Sequence, residues 1–434
     1  MLGIDFYLQY HNLKAKTNTM SFSEIVDSYK KCQTSKKKSF ECAQFEYRLG
    51  YQITKLASEI DQKKYTPSKG KCFWVTYPKN REIWASDFRD RVVHHLIVDP
   101  LEKIHEPKFS AQSFACRKNK GPFKALKELQ KQVRKISQGS GKIVYALQLD
   151  IKSFFITIDR EILKNKFLKN HRSDSRDEDL NYLVNQNFKF DIRDNFSQTI
   201  GKPKSISDLE YKNKSWIFKN KKQGIPIGNL TSQFGANLYL NELDHYIQRK
   251  LKPKGYLRYM DDLLLLDTDL EKLKPFEQLI QNYLQIKLKQ SLNFDKSDLK
   301  PLTKGVTYLG YVCKQEFNLQ EPLQIYPTKK KKWQFIQELQ KIERRFRTPN
   351  SKKPFNEKID PHPLSFFINK EKQELSSLNS RLGILRHTNS GRFKKRALQK
   401  FQHNMTEHND MPSDFFQKNS VVSINKEFNS VKPN

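Results

Sequence analysis

Apolar and polar positions along the first half of the chain predict strands and helices in turn. The segment "KCFWVTYPKNREIWA", residues 71–85, is rich in aromatic and branched residues around a Pro-Lys-Asn turn, which is typical of a β-hairpin. "DFRDRVVHHLIVDPLEKIHE" follows with its apolar residues at helical spacing. "KIVYALQLDIKSFFITID", residues 142–159, predicts a strand that runs into a turn.

The pattern continues into a second set of elements. "IGNLTSQFGANLYLNELDHYIQRKL" predicts an amphipathic helix that begins after a Gly-Asn turn. "GYLRYMDDLLLLDTD" predicts a strand, an Asp-Asp turn and a strand, and "KPFEQLIQNYLQIKLKQSL" and "GVTYLGYVC" predict a helix and a short strand. The order strand, helix, strand, strand, helix, strand is that of a ferredoxin-like sheet with helices on one face. We therefore expect an α+β fold.

The remaining segments have weaker or purely helical patterns. Residues 1–65 form a basic region, and from residue 20 onward its apolar residues have helical spacing. Residues 169–222 are polar and charged and have few apolar residues patterned for a core, as in an insertion. Residues 329–400 are again helical and strongly basic. Residues 401–434 carry little periodicity, which indicates a flexible tail.

Charge then narrows the choice of partner. The formal net charge is +33, which opposes compaction unless a polyanion compensates, so RNA or DNA is the expected partner. A membrane surface is the rival, but no apolar stretch approaches the roughly 20 residues that span a bilayer. The N-terminus lacks the pattern of a signal peptide, so we expect a cytoplasmic protein. The five cysteines are dispersed, which argues for reduced residues rather than a disulfide framework or a zinc site.

Three aspartates stand at the ends of apolar runs. Asp261 and Asp262 interrupt "LRYMDDLLLL", and Asp150 ends "ALQLD". An Asp-Asp pair facing water in a turn is the ordinary alternative. If the two segments are neighbours in a sheet, their carboxylates repel one another unless a hard divalent cation binds between them. A pair of Mg²⁺ ions, with Mn²⁺ as an alternative, would then support in-line phosphoryl transfer.

Seven blocks in order make the chain resemble a bacterial reverse transcriptase from about residue 40 to residue 395. They are "YPKNREIWASDFRDRVVHH", "SFACRKNKGPFKAL", "LQLDIKSFFITID", "GIPIGNLTSQFGANLYLNELD", "YLRYMDDLLLL", "LNFDKSDLKPL" and "VTYLGYVC". The resemblance implies a right-hand polymerase with fingers, a ferredoxin-like palm and a helical thumb. Fingers and palm would occupy residues 66–328, including the insertion at about 169–222, and the thumb residues 329–400.

The resemblance also implies roles for individual residues. Asp150 and Asp261 would bind both metals, Asp262 would be a weaker ligand, and Ile151 would belong to the same set. Phe155 would exclude a ribose 2′-hydroxyl, although packing in the core is the alternative. Six further residues are expected to contact the nucleotide. Lys79 and Arg81 would lie over the triphosphate, and Lys296 would lie near the leaving group. Ile227, Gly228 and Gln233 would lie beside the base. Tyr308, Leu309, Gly310 and Tyr311 resemble the primer grip, or else a core strand edge.

The block at the start of the long helix departs from most relatives. Many show Gln-Gly-x-x-x-Ser-Pro, whereas this chain has Ile227 in place of the glutamine and Gln233 in place of the proline. The variant resembles the enzymes of diversity-generating retroelements and some unknown-group reverse transcriptases of antiphage defence. Loss of the glutamine amide at position 227 removes a hydrogen-bonding group beside the templating base, which would lower the fidelity of base pairing. The alternative is that the change distinguishes a lineage and has no effect on fidelity.

Two functions of different class follow. The first is an RNA-directed DNA polymerase that makes cDNA from deoxynucleoside triphosphates on a structured non-coding RNA, with an accessory protein or a second copy as further partners. The second is a catalytically inactive RNA-binding protein, such as a maturase-like or assembly factor on a polymerase scaffold. The complete aspartate set, Arg81 and Phe155 favour the polymerase.

Overall fold

The computed structural model describes residues 20–34, 36–37, 39–75, 80–139, 141–169, 175–194, 196–199, 207, 215–317, 320–347, 385 and 388–406. These residues form two compact units. The first comprises segments within residues 1–132 and 145–300, and the second comprises segments within residues 133–144 and 301–434.

The helices and strands are numbered along the chain. The helices are α1 (Phe22–Thr34), α2 (Phe40–Tyr47), α3 (Leu49–Asp61), α4 (Phe88–His105), α5 (Pro122–Ile136), α6 (Phe154–Thr157), α7 (Arg160–Leu168), α8 (Ser175–Lys189), α9 (Leu230–Tyr246), α10 (Leu270–Leu273), α11 (Phe276–Leu288), α12 (Lys329–Arg347) and α13 (Gly391–Thr406). The strands are β1 (Gly70–Val75), β2 (Arg81–Ala85), β3 (Tyr145–Asp150), β4 (Phe196–Thr199), β5 (Gly255–Tyr259), β6 (Asp262–Asp267), β7 (Asp298–Pro301), β8 (Val306–Tyr308), β9 (Tyr311–Gln315) and β10 (Leu323–Pro327).

A four-stranded sheet in the order β5-β6-β3-β7 forms the centre of the first unit. Its strands and the helices α9 and α11 follow the ferredoxin-like order along the chain, as the sequence predicts. Strand β6 lies between β5 and β3, and Leu263, Leu264, Leu265 and Leu266 are all fully buried. This burial explains why the run of leucines is continuous instead of alternating with polar residues.

The fourth strand of this sheet differs from the sequence prediction. The segment "GVTYLGYVC" was expected to supply it, but the strand is β7, whose residues are only partly buried. The predicted segment instead forms β8 and β9, which pair as a hairpin in a separate sheet of order β10-β9-β8. Strand propensity correctly identified an extended segment but did not determine which sheet it joins.

The predicted hairpin at residues 71–85 is confirmed, since β1 and β2 pair antiparallel. Strand β4 adds to β1 in parallel, so the polar segment 169–222 contributes to this sheet. That segment also has more core than its composition suggests, because Leu183, Ile192 and Trp216 are buried. Helices α1, α2 and α3 confirm the helical prediction for residues 20–65, and α4 confirms the helix after the hairpin.

The second unit contains the β8–β10 sheet and the helices α12 and α13. Phe335, Leu339, Leu385 and Phe401 form its own small core. Helix α13 ends at Thr406, six residues beyond the predicted end of the thumb. Residues 407–434, and most of the segment "LNSRLGILRHTNS" of the predicted helical thumb, lie outside the described residues. Within the described ranges, no helix has the length and apolarity needed to cross a bilayer.

Candidate active site

The pairing of β3 with the β5–β6 hairpin brings the aspartates together. Asp150 stands opposite Asp262 in the antiparallel register of β3 and β6, and side chains of directly opposed residues have Cβ atoms about 4.5–5.5 Å apart. Asp261 occupies the turn before β6, and the N–H of Ile151 donates to its carbonyl oxygen at 3.3 Å. Met260, at φ 60°, makes the turn with Asp261, so the turn lies one residue earlier than the predicted Asp-Asp turn.

Lys296 and Asn293 converge on one oxygen of Asp150. Lys296 Nζ lies 2.6 Å from Asp150 Oδ2, and Asn293 Nδ2 donates to the same oxygen at 3.2 Å. The backbone N–H of Asn293 donates to the Asp150 carbonyl at 2.7 Å, which fixes the segment against the end of β3. Lys296, predicted from its block alone, is therefore adjacent to the predicted metal ligand.

Asp261 is in an environment that disfavours its charged form. Burial raises the pKa of Asp261 above its usual range, the Asp150 carboxylate raises it further, and Lys296 and Arg81 oppose these effects. Carboxylate oxygens are the ligands that Mg²⁺ prefers, and a divalent cation would relieve the repulsion between Asp150 and Asp261. The donor set therefore fits the metal ion that the sequence implies. In the part of the chain that the structure describes, no group of three or more His, Cys, Asp or Glu side chains is already arranged around a metal position.

Phe154 and Phe155 divide between the core and a more open position. Both lie in the short helix α6, which follows Ser153 in the left-handed region at φ 53°. Phe154 is 2% exposed and packs on Tyr239, with ring centroids 6.3 Å apart. Phe155 is only partly buried, and its carbonyl accepts the N–H of Ile225 at 2.9 Å. The predicted steric role of Phe155 stays a prediction.

The other residues predicted to contact the nucleotide lie on β2 and at the start of α9. Arg81 is exposed at the beginning of β2, and Lys79 lies outside the described residues. Gly228 is exposed at φ 110°, while Ile227 and Gln233 are partly buried. These roles also stay predictions.

In the second unit, Tyr308–Tyr311 form a tight hairpin turn. Leu309 (φ 51°) and Gly310 (φ 77°) both have positive φ between the paired residues Tyr308 and Tyr311, as in a type I′ turn. Lys331 Nζ lies 3.2 Å from the centroid of the Tyr311 ring and 3.4 Å from the Leu309 carbonyl oxygen. Burial lowers the pKa of Lys331 to about 8. The primer-grip role of these four residues stays a prediction.

Comparison with known proteins decides the family. A family model described as reverse transcriptase (RNA-dependent DNA polymerase) matches residues 77–313, more than half of the chain. The chain belongs to the reverse transcriptase family. The α+β right-hand polymerase fold and RNA-directed DNA polymerase activity that the sequence predicts are those of this family.

The curated relatives of this reverse transcriptase are distant. It is 21% identical over 298 residues to Protein YkfC of Escherichia coli K12, covering 61% of this chain and 71% of YkfC. It is 26% identical over 204 residues to the group II intron-encoded protein LtrA of Lactococcus lactis subsp. cremoris, covering 46% of this chain but only 29% of LtrA. A solved structure of apo telomerase from Candida tropicalis, truncated from its C-terminal domain, aligns at 12% identity with a TM-score of 0.42, covering 60% of this chain and 55% of that one.

One supporting residue of this reverse transcriptase was missed by sequence reasoning. Arg258 is 1% exposed, and its guanidinium contacts both carboxylate oxygens of Asp244 at 2.7 Å. It also donates to the carbonyl of Met260 at 3.1 Å, so it supports the turn that carries Asp261. The available signal was an arginine inside the apolar strand "GYLRY", since a buried charge requires a partner.

Proposed function

We propose that the chain synthesises cDNA on an RNA template by nucleotidyl transfer at a site formed by Asp150 and Asp261, with Asp262 as a weaker ligand and Ile151 in the same set. The observation that carries this proposal is the pairing of β3 with the β5–β6 hairpin, which places Asp150 opposite Asp262 and beside the turn that holds Asp261. Mg²⁺ ions bound there, or Mn²⁺ in their place, would activate the primer 3′-hydroxyl and neutralise charge on the leaving group.

The chain's own residues would orient the nucleotide. Arg81 is exposed and close enough to Asp261 to affect its pKa, so its guanidinium can bind a triphosphate beside the carboxylates. Lys296 has a side chain that is 55% exposed, so its ammonium is free to turn from Asp150 toward phosphate oxygens when a metal ion replaces it. Phe155 would limit the space at the ribose.

For the biological setting, we propose a diversity-generating retroelement or a bacterial antiphage defence system. The support is the variant block at the start of α9, in which Ile227 and Gln233 flank the sequence that includes Gly228. A structured non-coding RNA would be the template, deoxynucleoside triphosphates the substrates, and an accessory protein or second copy a further partner. The strongly positive net charge supports an RNA partner.

The test of catalysis is extension of a DNA primer on RNA with Mg²⁺. We expect incorporation by the wild-type protein and none by the Asp261→Asn, Asp262→Asn double variant, with RNA binding retained by both. Retained binding without wild-type incorporation, across several primed templates and with both Mg²⁺ and Mn²⁺, would refute the polymerase and leave the RNA-binding factor.

The test of the setting is the sequence of the cDNA made on the native RNA. Errors concentrated opposite template adenines support the retroelement, and repetitive or untemplated products support defence. Accurate, complete copies would contradict the link between the variant block and loosened base checking.

A further inference from the structure

A short segment that begins within the predicted insertion reaches the strand that carries Arg81. We name residues 215–225 the strap. Glu82, the residue after Arg81, is 4% exposed. Its carboxylate accepts the backbone N–H of Trp216 at 3.0 Å, the hydroxyl of Ser215 and the indole N–H of Trp84. A buried carboxylate with three donors is held firmly, because loss of any donor leaves charge unsatisfied.

Trp216 holds the strap in a single arrangement. Its ring packs edge-on against Trp84, with centroids 5.9 Å apart and an interplanar angle of 88°. Its indole N–H donates to the Gln223 carbonyl at 2.8 Å, and the Arg193 guanidinium lies 4.6 Å from the ring centroid. Gly224 has φ +85°, and a Cβ there would collide with the indole. The strap is therefore folded tightly around this one side chain.

The far end of the strap reaches the other predicted nucleotide contacts. The N–H of Gly224 donates to the Ile158 carbonyl at 2.8 Å, and the N–H of Ile225 donates to the Phe155 carbonyl at 2.9 Å. Ile225 stands two residues before Ile227. One continuous segment thus joins the strand of Arg81, the backbone of Phe155 and the block that begins α9.

We propose that the strap positions the incoming deoxynucleoside triphosphate through these elements, with Ser215 and Trp216 as positioning residues. The inference rests on the proposed polymerase function. Arg81 itself is exposed and directly precedes Glu82 on β2, and the Glu82 carboxylate accepts hydrogen bonds from Ser215 and Trp216 of the strap. Loss of binding that is equal in the ground state and the transition state raises KM and leaves kcat unchanged. Loosening the strap therefore weakens nucleotide binding without touching the aspartates.

The decisive experiment compares Ser215→Ala with Tyr29→Phe. Each variant removes a buried hydroxyl that donates to a carboxylate, and Tyr29 makes its bond to Glu46 in the N-terminal helices. In single-nucleotide incorporation we expect Ser215→Ala to raise the KM for the deoxynucleotide by about tenfold. We expect kcat to change by less than about twofold and primer–template affinity to stay at the wild-type value. Tyr29→Phe should leave all of these parameters unchanged.

A second variant covers the case in which Ser215→Ala does not fold. Glu82→Gln preserves the shape of the side chain and one acceptor for Trp216, and it should raise the same KM. An active wild type whose Ser215→Ala and Glu82→Gln variants match Tyr29→Phe, or lose kcat with an unchanged KM, overturns the role of the strap alone. A wild type that incorporates no nucleotide overturns the polymerase proposal itself.

Discussion

Replacing Arg258 by methionine removes the buried cation that supports the Met260–Asp261 turn. The Asp244 carboxylate, 0% exposed, then loses both guanidinium contacts at 2.7 Å. Breaking a buried ion pair by removing one partner costs about 3–5 kcal/mol. Against a typical total of about 5–15 kcal/mol, such a loss is easily measured by urea unfolding. We expect Arg258→Met to lower the free energy of unfolding by that amount.

A second variant separates stability from catalysis. In the triple change Arg258→Met, Asp244→Leu, Tyr256→Phe, the carboxylate and the hydroxyl that donates to it at 2.7 Å are removed together with the guanidinium. Apolar replacement of a buried ion pair is often neutral or stabilising, so most of the lost stability should return. The bond from Arg258 to the Met260 carbonyl at 3.1 Å does not return. We therefore expect kcat to remain at least about tenfold below wild type.

Two outcomes would refute this reasoning. A loss below about 1 kcal/mol in the single variant would show that the pair behaves like an exposed ion pair. Full recovery of both stability and kcat in the triple variant would show that the Met260 carbonyl needs no support from Arg258.

Three further predictions concern the site and the predicted primer grip. Because the pKa of Asp261 is higher in the folded than in the unfolded state, ionisation of Asp261 lowers the stability of the fold as pH rises through the folded-state pKa. Without metal at pH 7, Asp261→Asn should therefore melt at a higher temperature than wild type. A difference in melting temperature that persists unchanged below the folded-state and unfolded-state pKa values would contradict this origin. Gly310→Ala should raise the KM for primer–template but not the KM for nucleotide. Alanine at φ +77° costs about 1 kcal/mol, and its Cβ would lie 3.1 Å from Lys331 Cε. An equal effect on both KM values would argue against a primer role. Burial lowers the pKa of Lys331 to about 8, so its charge is lost between pH 7 and 9. If that charge contributes to primer–template binding, the Kd of wild type for primer–template should rise about fivefold more over this range than the Kd of Lys331→Arg. Parallel curves would show that the charge of Lys331 makes no such contribution.

The local pattern of apolar and polar residues was sufficient to predict much of the fold and the closeness of the aspartates. The "LRYMDDLLLL" hairpin and the "YALQLD" strand each have the length and apolar character of buried strands, and their pairing aligns Asp150 with Asp262. The helices α4, α9 and α11 were predictable for the same reason, because helical periodicity is contained within each segment.

Features that depend on distant partners were not predictable. Strand β7 ("DLKP") has weak strand propensity, and it lies beside β3 at the edge of the sheet, where tertiary context outweighs propensity. Trp216 stands in a polar segment, and its partner Glu82 precedes it by 134 residues. The helical turn α6, in which Phe154 is buried and Phe155 only partly buried, follows Ser153 in the left-handed conformation. Serine has no special preference for that conformation, so the turn could not be predicted from it.

The long separation between Glu82 and the strap has a consequence for synthesis of the chain. At about 5–20 residues per second, a ribosome needs roughly 7–27 s to add the 134 residues that separate Glu82 from Trp216. During this time the Glu82 carboxylate of the β1–β2 hairpin lacks two of its three hydrogen-bond donors. The hairpin therefore cannot yet bury Glu82 as the folded protein does. In a nascent chain the β1–β2 hairpin should therefore remain sensitive to protease until Gly224 has emerged from the ribosome, however early its own strands were made.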